Sequence, residues 1–187
     1  KSADNKNESI EAKNIIIATG SDAVSLPGIE FDEKKIVSST GALSLKEVPK
    51  KLVVVGGGYI GLEMGSVWSR LGSEVQVVEF LDHITPGMDR EISNEFQKLL
   101  KKQGINFNLK TKVESISNNN EVVTVNTNDE QGNKKQFDCD VVLISVGRKP
   151  NTNNLNLDKV GVEKDQKGRV KVNKNFQTNI KKYLCDR

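Results

Sequence analysis

A glycine-rich turn between two apolar segments constrains this chain more than any other feature. The pattern Gly56-x-Gly58-x-x-Gly61 directly follows a short apolar run at residues 51–55. Beyond the turn, apolar residues recur at the spacing of one helix face: Ile60, Met64, Val67, Trp68 and Leu71. A strand that turns sharply into a helix through such glycines is typical of the first βα unit of a doubly wound α/β fold.

Each glycine of the turn has its own physical reason. We expect Gly56 to permit the tight turn, Gly58 to let the backbone approach a pyrophosphate, and Gly61 to let the helix pack closely on the strand. The helix N-terminus then offers free N–H groups and a partial positive charge. The turn therefore predicts a dinucleotide-binding site.

An acidic residue at the end of the next strand, residues 74–80, fits the same site. Glu79 lies 23 residues after Gly56. A carboxylate at this position accepts hydrogen bonds from the hydroxyls of the adenosine ribose and repels a 2′-phosphate. No Arg follows nearby, so the sequence favours NAD over NADP. We place Glu63 in the first turn of the helix, where an acid serves either a ligand or the helix dipole.

The segments that follow predict a parallel sheet. Gly72 ends the first helix, and Asp89 caps a second helix in which Ile92, Phe96, Leu99 and Leu100 share a face. Gly104 ends that helix, and residues 105–109 form the next strand. Strand, helix, strand, helix and strand in this order predict a parallel crossover unit.

The remaining segments complete an α/β fold: a Rossmann-like parallel sheet with flanking helices and an antiparallel three-stranded β-meander. The meander is predicted from short alternating runs at 112–116, 122–127 and 135–138. Apolar runs at 14–18 and 141–146 predict buried strands. Residues 29–50 are expected to be irregular with one short helix, residues 1–9 to be disordered, and residues 160–162 and 170–172 to have modest strand character.

Composition excludes several classes of function. The net charge is only +3 and Lys and Glu alternate, which argues against nucleic-acid binding. No apolar run approaches the ~20 residues of a membrane span. One His and two Cys cannot form a four-ligand zinc site, and we predict no metal site. We expect His83 to be a surface residue without a carboxylate partner, and Cys139 to be a small core residue.

Three segments resemble one known family. They are residues 16–21, residues 53–63 and residues 145–151, and they occur in this order in the flavin-dependent pyridine nucleotide–disulfide oxidoreductases. Residues 78–80, 86–89 and 102–104 are most similar to the dihydrolipoamide dehydrogenase branch. The resemblance runs from about residue 10 to residue 180. Because the chain begins at Lys1 and ends without a recognisable stop, we expect a fragment of a longer protein.

The resemblance implies a domain organisation and a set of site residues. It assigns residues 1–40 to a segment of an FAD-binding domain, 41–150 to an NAD-binding domain, and 151–187 to the return into the FAD-binding domain. It implies that Thr19, Gly20 and Ser21 approach FAD, that Glu79 binds the adenosine ribose, that Val113 lines the adenine pocket and that Gly147 approaches the nicotinamide half. It implies that the pyrophosphate and nicotinamide region of NAD are bound by Gly56, Gly57, Gly58, Tyr59, Ile60, Gly61, Leu62 and Glu63, with Glu63 near the nicotinamide.

The resemblance also implies an activity for the full-length protein. The full-length protein is expected to oxidise dihydrolipoamide on the lipoyl domains of 2-oxo-acid dehydrogenase complexes through FAD and to reduce NAD+. It is expected to be a homodimer in the mitochondrial matrix, with plastid or bacterial cytoplasm as alternatives. The family's Cys-x-x-x-x-Cys pair and acid–base His do not occur in these 187 residues, so we assign no catalytic residue.

Two other interpretations stay open at this point. One is an NAD(P)H-dependent disulfide or mercuric reductase of the same family, and the other is a non-catalytic dinucleotide-binding module. The family's C-terminal Gly-Asp is replaced by Cys185-Asp186, so Asp186 is given no flavin contact.

Overall fold

A five-stranded parallel sheet forms the centre of one of the chain's two units, Ala23–Gly147. The other unit combines Lys1–Asp22 with Arg148–Arg187. The computed structural model describes residues 8–119 and 121–186, so most of the segment expected to be disordered lies outside the described residues. In chain order the elements are β1 (Ile15–Ile17), β2 (Ser21–Ala23), β3 (Ile36–Val37), α1 (Ser39–Leu43), β4 (Lys51–Val55), α2 (Tyr59–Arg70), β5 (Glu74–Val78), α3 (Arg90–Lys102), β6 (Asn106–Asn108), β7 (Thr111–Asn118), β8 (Val123–Asp129), β9 (Lys134–Cys139), β10 (Val141–Ile144), β11 (Arg148–Pro150), a 3₁₀-helix (Leu157–Val160) and β12 (Tyr183–Cys185).

The parallel sheet confirms the predicted crossover unit. Its strand order is β3-β10-β4-β5-β6, and α2 and α3 connect β4 to β5 and β5 to β6. Each neighbouring pair in this sheet is parallel. The short helix expected within residues 29–50 is α1. Strand β3 was not predicted, because two residues are too few to show a strand period.

The two faces of the sheet carry separate cores, as the alternation of side chains along a strand requires. In β4, Leu52 and Val54 pack with the helices, whereas Val53 and Val55 pack with the meander. The helix-side core includes buried residues of the sheet and of the helices: Val75, Val77, Leu143, Leu62, Trp68 and Leu100. Both faces are therefore covered, which is the condition for a continuous apolar run such as β10.

Strands β7, β8 and β9 form the predicted antiparallel meander. Their order is β7-β8-β9, with a register shift between Val113 and Ser115. Cys139 ends β9 and is buried against the sheet, as expected of a core residue. Burial raises the pKa of the Cys139 thiol to about 12, so this side chain stays protonated and apolar at neutral pH.

The helices have their predicted ends, but only part of each predicted apolar face is buried. Gly72 and Gly104 follow α2 and α3 with positive φ, and Asp89 caps α3 by accepting the N–H groups of Glu91 and Ile92. Trp68 and Leu100 of these faces are buried, whereas several of the other residues are at least one-third exposed. The face of α2 toward the sheet is built from small residues, since Gly61 and Gly65 are buried there with Leu62 and Trp68. The exposed apolar residues on the two helices are Val67, Leu71, Ile92, Phe96 and Leu99.

The second unit has two short sheets and a small core. Strand β1 pairs in parallel with β12, and β2 pairs with β11. The strand predicted at 14–18 is present, but it is only partly buried, because Ile17 enters the core while Ile16 is 69% exposed. The core contains Ile17, Leu157 and Val162. The strand character predicted at 160–162 is wrong, since Val160 ends the 3₁₀-helix, and Val170 forms only an isolated bridge with Lys164.

The described residues include neither a membrane-spanning helix nor a metal-ligating cluster. None of the helices at residues 8–119 and 121–186 combines the length and the apolar character needed to cross a bilayer. The same residues contain no group of three or more His, Cys, Asp or Glu side chains arranged to hold a metal ion.

Candidate functional site

Three neighbouring strands of the parallel sheet end at the same level, and a residue of the candidate site follows each of them. The register pairs Val55 with both Val78 and Ile144, which are the last residues of β4, β5 and β10. Gly56, Glu79 and Ser145 therefore meet at the carboxyl edge of the sheet. The chain runs outward from β4 through β5 to β6, while β10 lies on the other side of β4. Such a change of direction is where open α/β sheets bind their ligands.

The glycine turn is crowded on its inner side and open on its outer side. Gly56 has a φ of 105°, and a Cβ on it would lie 2.6 Å from the Ser145 carbonyl oxygen. A Cβ on Gly61 would lie 2.4 Å from the Gly56 carbonyl oxygen. Gly58, by contrast, has no heavy atom within 4 Å of the position of a Cβ. The inner glycines are thus required by packing, while Gly58 leaves room for a ligand against the backbone.

Helix α2 begins at this open position. Gly58 is its N-cap residue, and no side chain caps the helix. The N–H groups of the first turn therefore have no partner inside the helix and carry its positive end. Glu63 was expected in this first turn, but the helix begins at Tyr59, so Glu63 falls in the second turn with an exposed side chain. The positive end of α2 thus lacks an acidic side chain in its first turn.

Glu79 is buried at the end of β5 and holds the glycine turn. Its Oε2 accepts the Gly57 N–H at 2.5 Å, and its Oε1 accepts the Leu81 N–H at 2.8 Å. The residue is 7% exposed. Each carboxylate oxygen retains a further lone pair for a ligand hydroxyl. Sequence reasoning found Glu79 by its spacing but missed its bond to Gly57, because the spacing carries no information on the turn's inner hydrogen bonds.

The loop after β5 also contacts the glycine turn, which the sequence did not indicate. The Thr85 N–H donates to the Gly57 carbonyl at 2.8 Å. Ser145 contributes as well, since its hydroxyl lies 3.1 Å from the Val55 carbonyl and 3.3 Å from that of Gly56. Thr85 belongs to no motif of the sequence, and Ser145 begins the resembling segment 145–151 without any indication that it contacts the glycine turn.

His83 has a carboxylate partner, contrary to expectation. Its Nδ1 lies 2.7 Å from Oδ1 of the adjacent Asp82, and Arg90 binds both oxygens of Asp82 at 3.0 and 2.8 Å. The hydrogen bond from the Arg90 guanidinium, and to a smaller extent the one with His83, holds the pKa of the Asp82 carboxyl well below its usual range. The cluster joins the loop to the start of α3. Adjacent residues have no characteristic spacing in a sequence, so the pattern did not indicate this pair.

The other predicted residues of this unit have different environments. Tyr59 is exposed and Ile60 is half-buried, both in the first turn of α2. Leu62 is buried in the helix-side core and its N–H donates to the Gly58 carbonyl, so it supports the turn from within. Val113 is half-buried against the meander core. Gly147 has a φ of 144° with open space around it, and its carbonyl accepts the Val24 N–H.

In the other unit, the segment from Thr19 to Ser21 is bonded to the start of the return segment. The Thr19 hydroxyl donates to the Asn151 carbonyl at 2.7 Å, and the Asn151 N–H donates to the Gly20 carbonyl at 2.9 Å. Arg148 donates from Nε to the Ser21 hydroxyl at 2.7 Å and from Nη2 to the Ser21 carbonyl. These bonds join the two segments of this unit to each other.

The crowding at Gly61 gives a prediction about stability. Gly61→Ala should lower the free energy of unfolding by about 1–3 kcal/mol, because its Cβ overlaps the Gly56 carbonyl. The matched control is Gly65→Ala on the same helix, where the nearest atom is 3.4 Å away. It should raise stability by about 0.5–1 kcal/mol. Urea unfolding followed by circular dichroism measures both, and equal effects would contradict the packing role of Gly61.

Comparisons with known proteins agree with this geometry. The family model described as "Pyridine nucleotide-disulphide oxidoreductase" matches residues 1–183. The chain is 57% identical to the mitochondrial dihydrolipoyl dehydrogenase of Pisum sativum over 94% of its length, and 56% identical to a leghemoglobin reductase of Glycine max, also over 94%. It covers 35% and 34% of these proteins, so it spans about a third of the relatives it matches.

Solved structures show the same fold. The HOCl-induced flavoprotein disulfide reductase RclA of Escherichia coli is 32% identical with a TM-score of 0.81, and the match covers 94% of this chain and 40% of that one. LpdA of Mycobacterium tuberculosis is 24% identical with a TM-score of 0.87, covering 98% and 39%. The family model matches nearly the whole sequence, and the chain therefore belongs to the pyridine nucleotide–disulphide oxidoreductase family.

Proposed function

We propose that this chain is the NAD-binding portion, with adjoining parts of the FAD-binding domain, of a dihydrolipoyl dehydrogenase. The observation that carries the proposal is the glycine turn: the Gly57 N–H is bonded to a buried acid, Glu79, beside an open Gly58 and an uncapped helix N-terminus. The names of relatives that are more than 50% identical support the choice of branch, including those of Pisum sativum and Caenorhabditis elegans.

The residues of the turn suit the parts of an NAD molecule. The open side of Gly58 and the first turn of α2 suit a pyrophosphate, since they combine space with unpartnered N–H groups. The free lone pairs of Glu79 suit the hydroxyls of the adenosine ribose. We assign Val113 to the adenine side, and Glu63 and Gly147 to the nicotinamide half, on the family resemblance. On the same resemblance we assign residues 41–150 to NAD binding.

On the family resemblance we assign residues 1–40 and 151–187 to the FAD-binding domain, although residues 23–40 lie in the same compact unit as the parallel sheet. Thr19, Gly20 and Ser21 are their candidate flavin contacts. The Ser21 hydroxyl accepts from Arg148 and keeps its own proton to donate, so it fits a phosphate or carbonyl oxygen. When bound, the flavin and the nicotinamide supply the electron and hydride chemistry, while the protein positions them.

For the full-length protein we propose the activity of the branch. It takes electrons from dihydrolipoamide on the lipoyl domains of 2-oxo-acid dehydrogenase complexes and reduces NAD+, as a homodimer. The relatives from Pisum sativum, Arabidopsis thaliana and Caenorhabditis elegans are named as mitochondrial. We propose a mitochondrial location on this basis, with the matrix as the compartment.

Binding measurements on the chain test the proposal. We expect the purified chain to bind NADH and to carry no flavin in stoichiometric amount. It should show no dihydrolipoamide:NAD turnover even with FAD added, because these 187 residues contain no Cys-x-x-x-x-Cys pair. Isothermal calorimetry, the absorption spectrum and a turnover assay measure the three. Absence of NADH binding, or turnover above a buffer blank, would overturn the assignment of this portion.

A disulfide reductase of the same family is the second candidate. The 32% identity to the flavoprotein disulfide reductase of Escherichia coli favours it. The two candidates differ in the electron acceptor of the full-length protein, which is NAD+ for a dihydrolipoyl dehydrogenase. Assays of that protein with dihydrolipoamide and NAD+, and separately with NADPH and a disulfide, distinguish them.

A further inference from the structure

Gly57 is held at both its N–H and its carbonyl group by residues that follow β5. The Gly57 N–H donates to Glu79, and the Gly57 carbonyl accepts the Thr85 N–H at 2.8 Å. The Gly57 carbonyl and the Gly58 N–H belong to one planar peptide group and point in opposite directions, so the Thr85 contact fixes the direction of the Gly58 N–H at the start of α2. Thr85 therefore takes part in shaping the turn, although it lies 28 residues after Gly57 in the chain.

Thr85 has a backbone conformation that β-branched residues rarely adopt. Its φ is 48°, in the left-handed region, and the residue is only 2% exposed. Such a conformation is unfavourable and persists only where surrounding contacts enforce it, most often beside ligand sites. Something in the fold must therefore hold Thr85 in place.

The contact that holds Thr85 is a buried pair of hydroxyls. Its Oγ1 lies 2.8 Å from the Oγ of Ser93, which is 1% exposed. Ser93 belongs to α3, and the start of that helix is anchored by the Asp89 cap and by the ion pair of Arg90 with Asp82. A continuous series of contacts thus runs from α3 through Thr85 to the Gly57 peptide.

We propose that the Thr85–Ser93 hydroxyl pair positions the glycine turn for the pyrophosphate of the dinucleotide. The inference rests on the proposed function, that the turn binds a dinucleotide. The pair keeps Thr85 in its left-handed conformation, and the Thr85 N–H keeps the Gly57 carbonyl turned toward the protein. Without the pair, Thr85 relaxes and the peptide group between Gly57 and Gly58 is free to rotate. Its carbonyl oxygen can then face the phosphate and repel it. Both side chains are buried, so they act through the backbone.

Two substitutions remove the pair without adding bulk. Thr85→Val keeps the size and the branching of the side chain, and Ser93→Ala removes the partner hydroxyl. Each substitution should raise the dissociation constant of NADH about tenfold, the effect of one lost buried hydrogen bond. The dissociation constant of ADP, which has the pyrophosphate, should rise by the same factor, whereas that of adenosine should not change. The double variant should lose no more than either single one. Thr85→Ser, which restores a hydroxyl, should bind NADH like the unmodified chain.

A matched control separates positioning from loss of stability. Ser73 is also buried, and its hydroxyl donates to the Pro49 carbonyl at 2.6 Å before the start of β5, at the opposite edge of the sheet. Ser73→Ala should lower the unfolding midpoint and leave NADH affinity unchanged. Fluorescence titration with NADH, competition by ADP and adenosine, and urea unfolding supply the data.

The outcomes distinguish the inference from the function beneath it. If the unmodified chain does not bind NADH, the proposed function fails. If it binds NADH and both Thr85→Val and Ser93→Ala bind equally well, the positioning role is overturned while the function stands. Equal losses for ADP and adenosine also overturn it, because they indicate a general disturbance. Should Thr85→Val fail to fold, Ser93→Ala with its Ser73→Ala control decides.

Discussion

Gly58→Val should abolish measurable NADH binding while the fold survives. Gly58 has a φ of −76° and no heavy atom within 4 Å of the position of a Cβ, so a side chain meets neither strain nor a clash in the protein. The added branched group instead fills the space next to the unpartnered N–H groups of α2, where we place the pyrophosphate. Loss of the phosphate contacts should lower affinity at least ~100-fold.

Calorimetric titration with NADH and a circular dichroism spectrum test this together. The cost to stability should be small, since valine is only a poorer N-cap residue than glycine. Gly72→Val is the control: Gly72 also has open space around it, but it follows α2 at the amino edge of the sheet. Because its φ is 112°, the control should destabilise the fold and keep NADH affinity. Unchanged affinity in Gly58→Val would show that the phosphate binds elsewhere.

The order of elements was predictable because it depends on local patterns. Glycines and Asp89 mark helix ends through backbone conformation and capping, and alternating or continuous apolar runs mark the strands. Burial of individual residues was less predictable. Of the predicted apolar face of α3, Leu100 is buried, whereas Phe96 and Leu99 are at least one-third exposed. Ser93, which was not predicted, is buried where its hydroxyl meets that of Thr85.

The candidate site shows the same division. The glycines and Glu79 were found by their spacing, which reflects the strand and helix that carry them. Thr85 and Ser145 were missed, because each contacts the glycine turn through a backbone group or a single hydroxyl. Contacts of this kind depend on how distant segments meet at the sheet edge, and no residue type is characteristic of them.

Glu79 should set the preference between NADH and NADPH. Hydrogen bonds to a charged group contribute about 1.5–3 kcal/mol each, and desolvation offsets part of this, so we expect NADH to bind 30- to 1,000-fold more tightly, as an order of magnitude. In Glu79→Ala the Gly57 N–H also loses its partner. This lowers the affinity for both dinucleotides equally, because both use the same turn. The ratio of the two dissociation constants therefore isolates the ribose contribution, and it should fall toward one.

A second substitution should then reverse the preference. Phe80 is 69% exposed, so Phe80→Arg in the Glu79→Ala background places a guanidinium in solvent beside the ribose end of the site. It should favour NADPH through a charge-assisted bond to the 2′-phosphate. Glu74→Ala is the control, because it removes an exposed acid from the opposite end of the same strand and should leave the ratio unchanged. Both dissociation constants must be measured at one salt concentration, since charge interactions are screened. If the unmodified chain binds NADPH as tightly as NADH, Glu79 does not hold the ribose, and the NAD-linked assignment loses its main physical support.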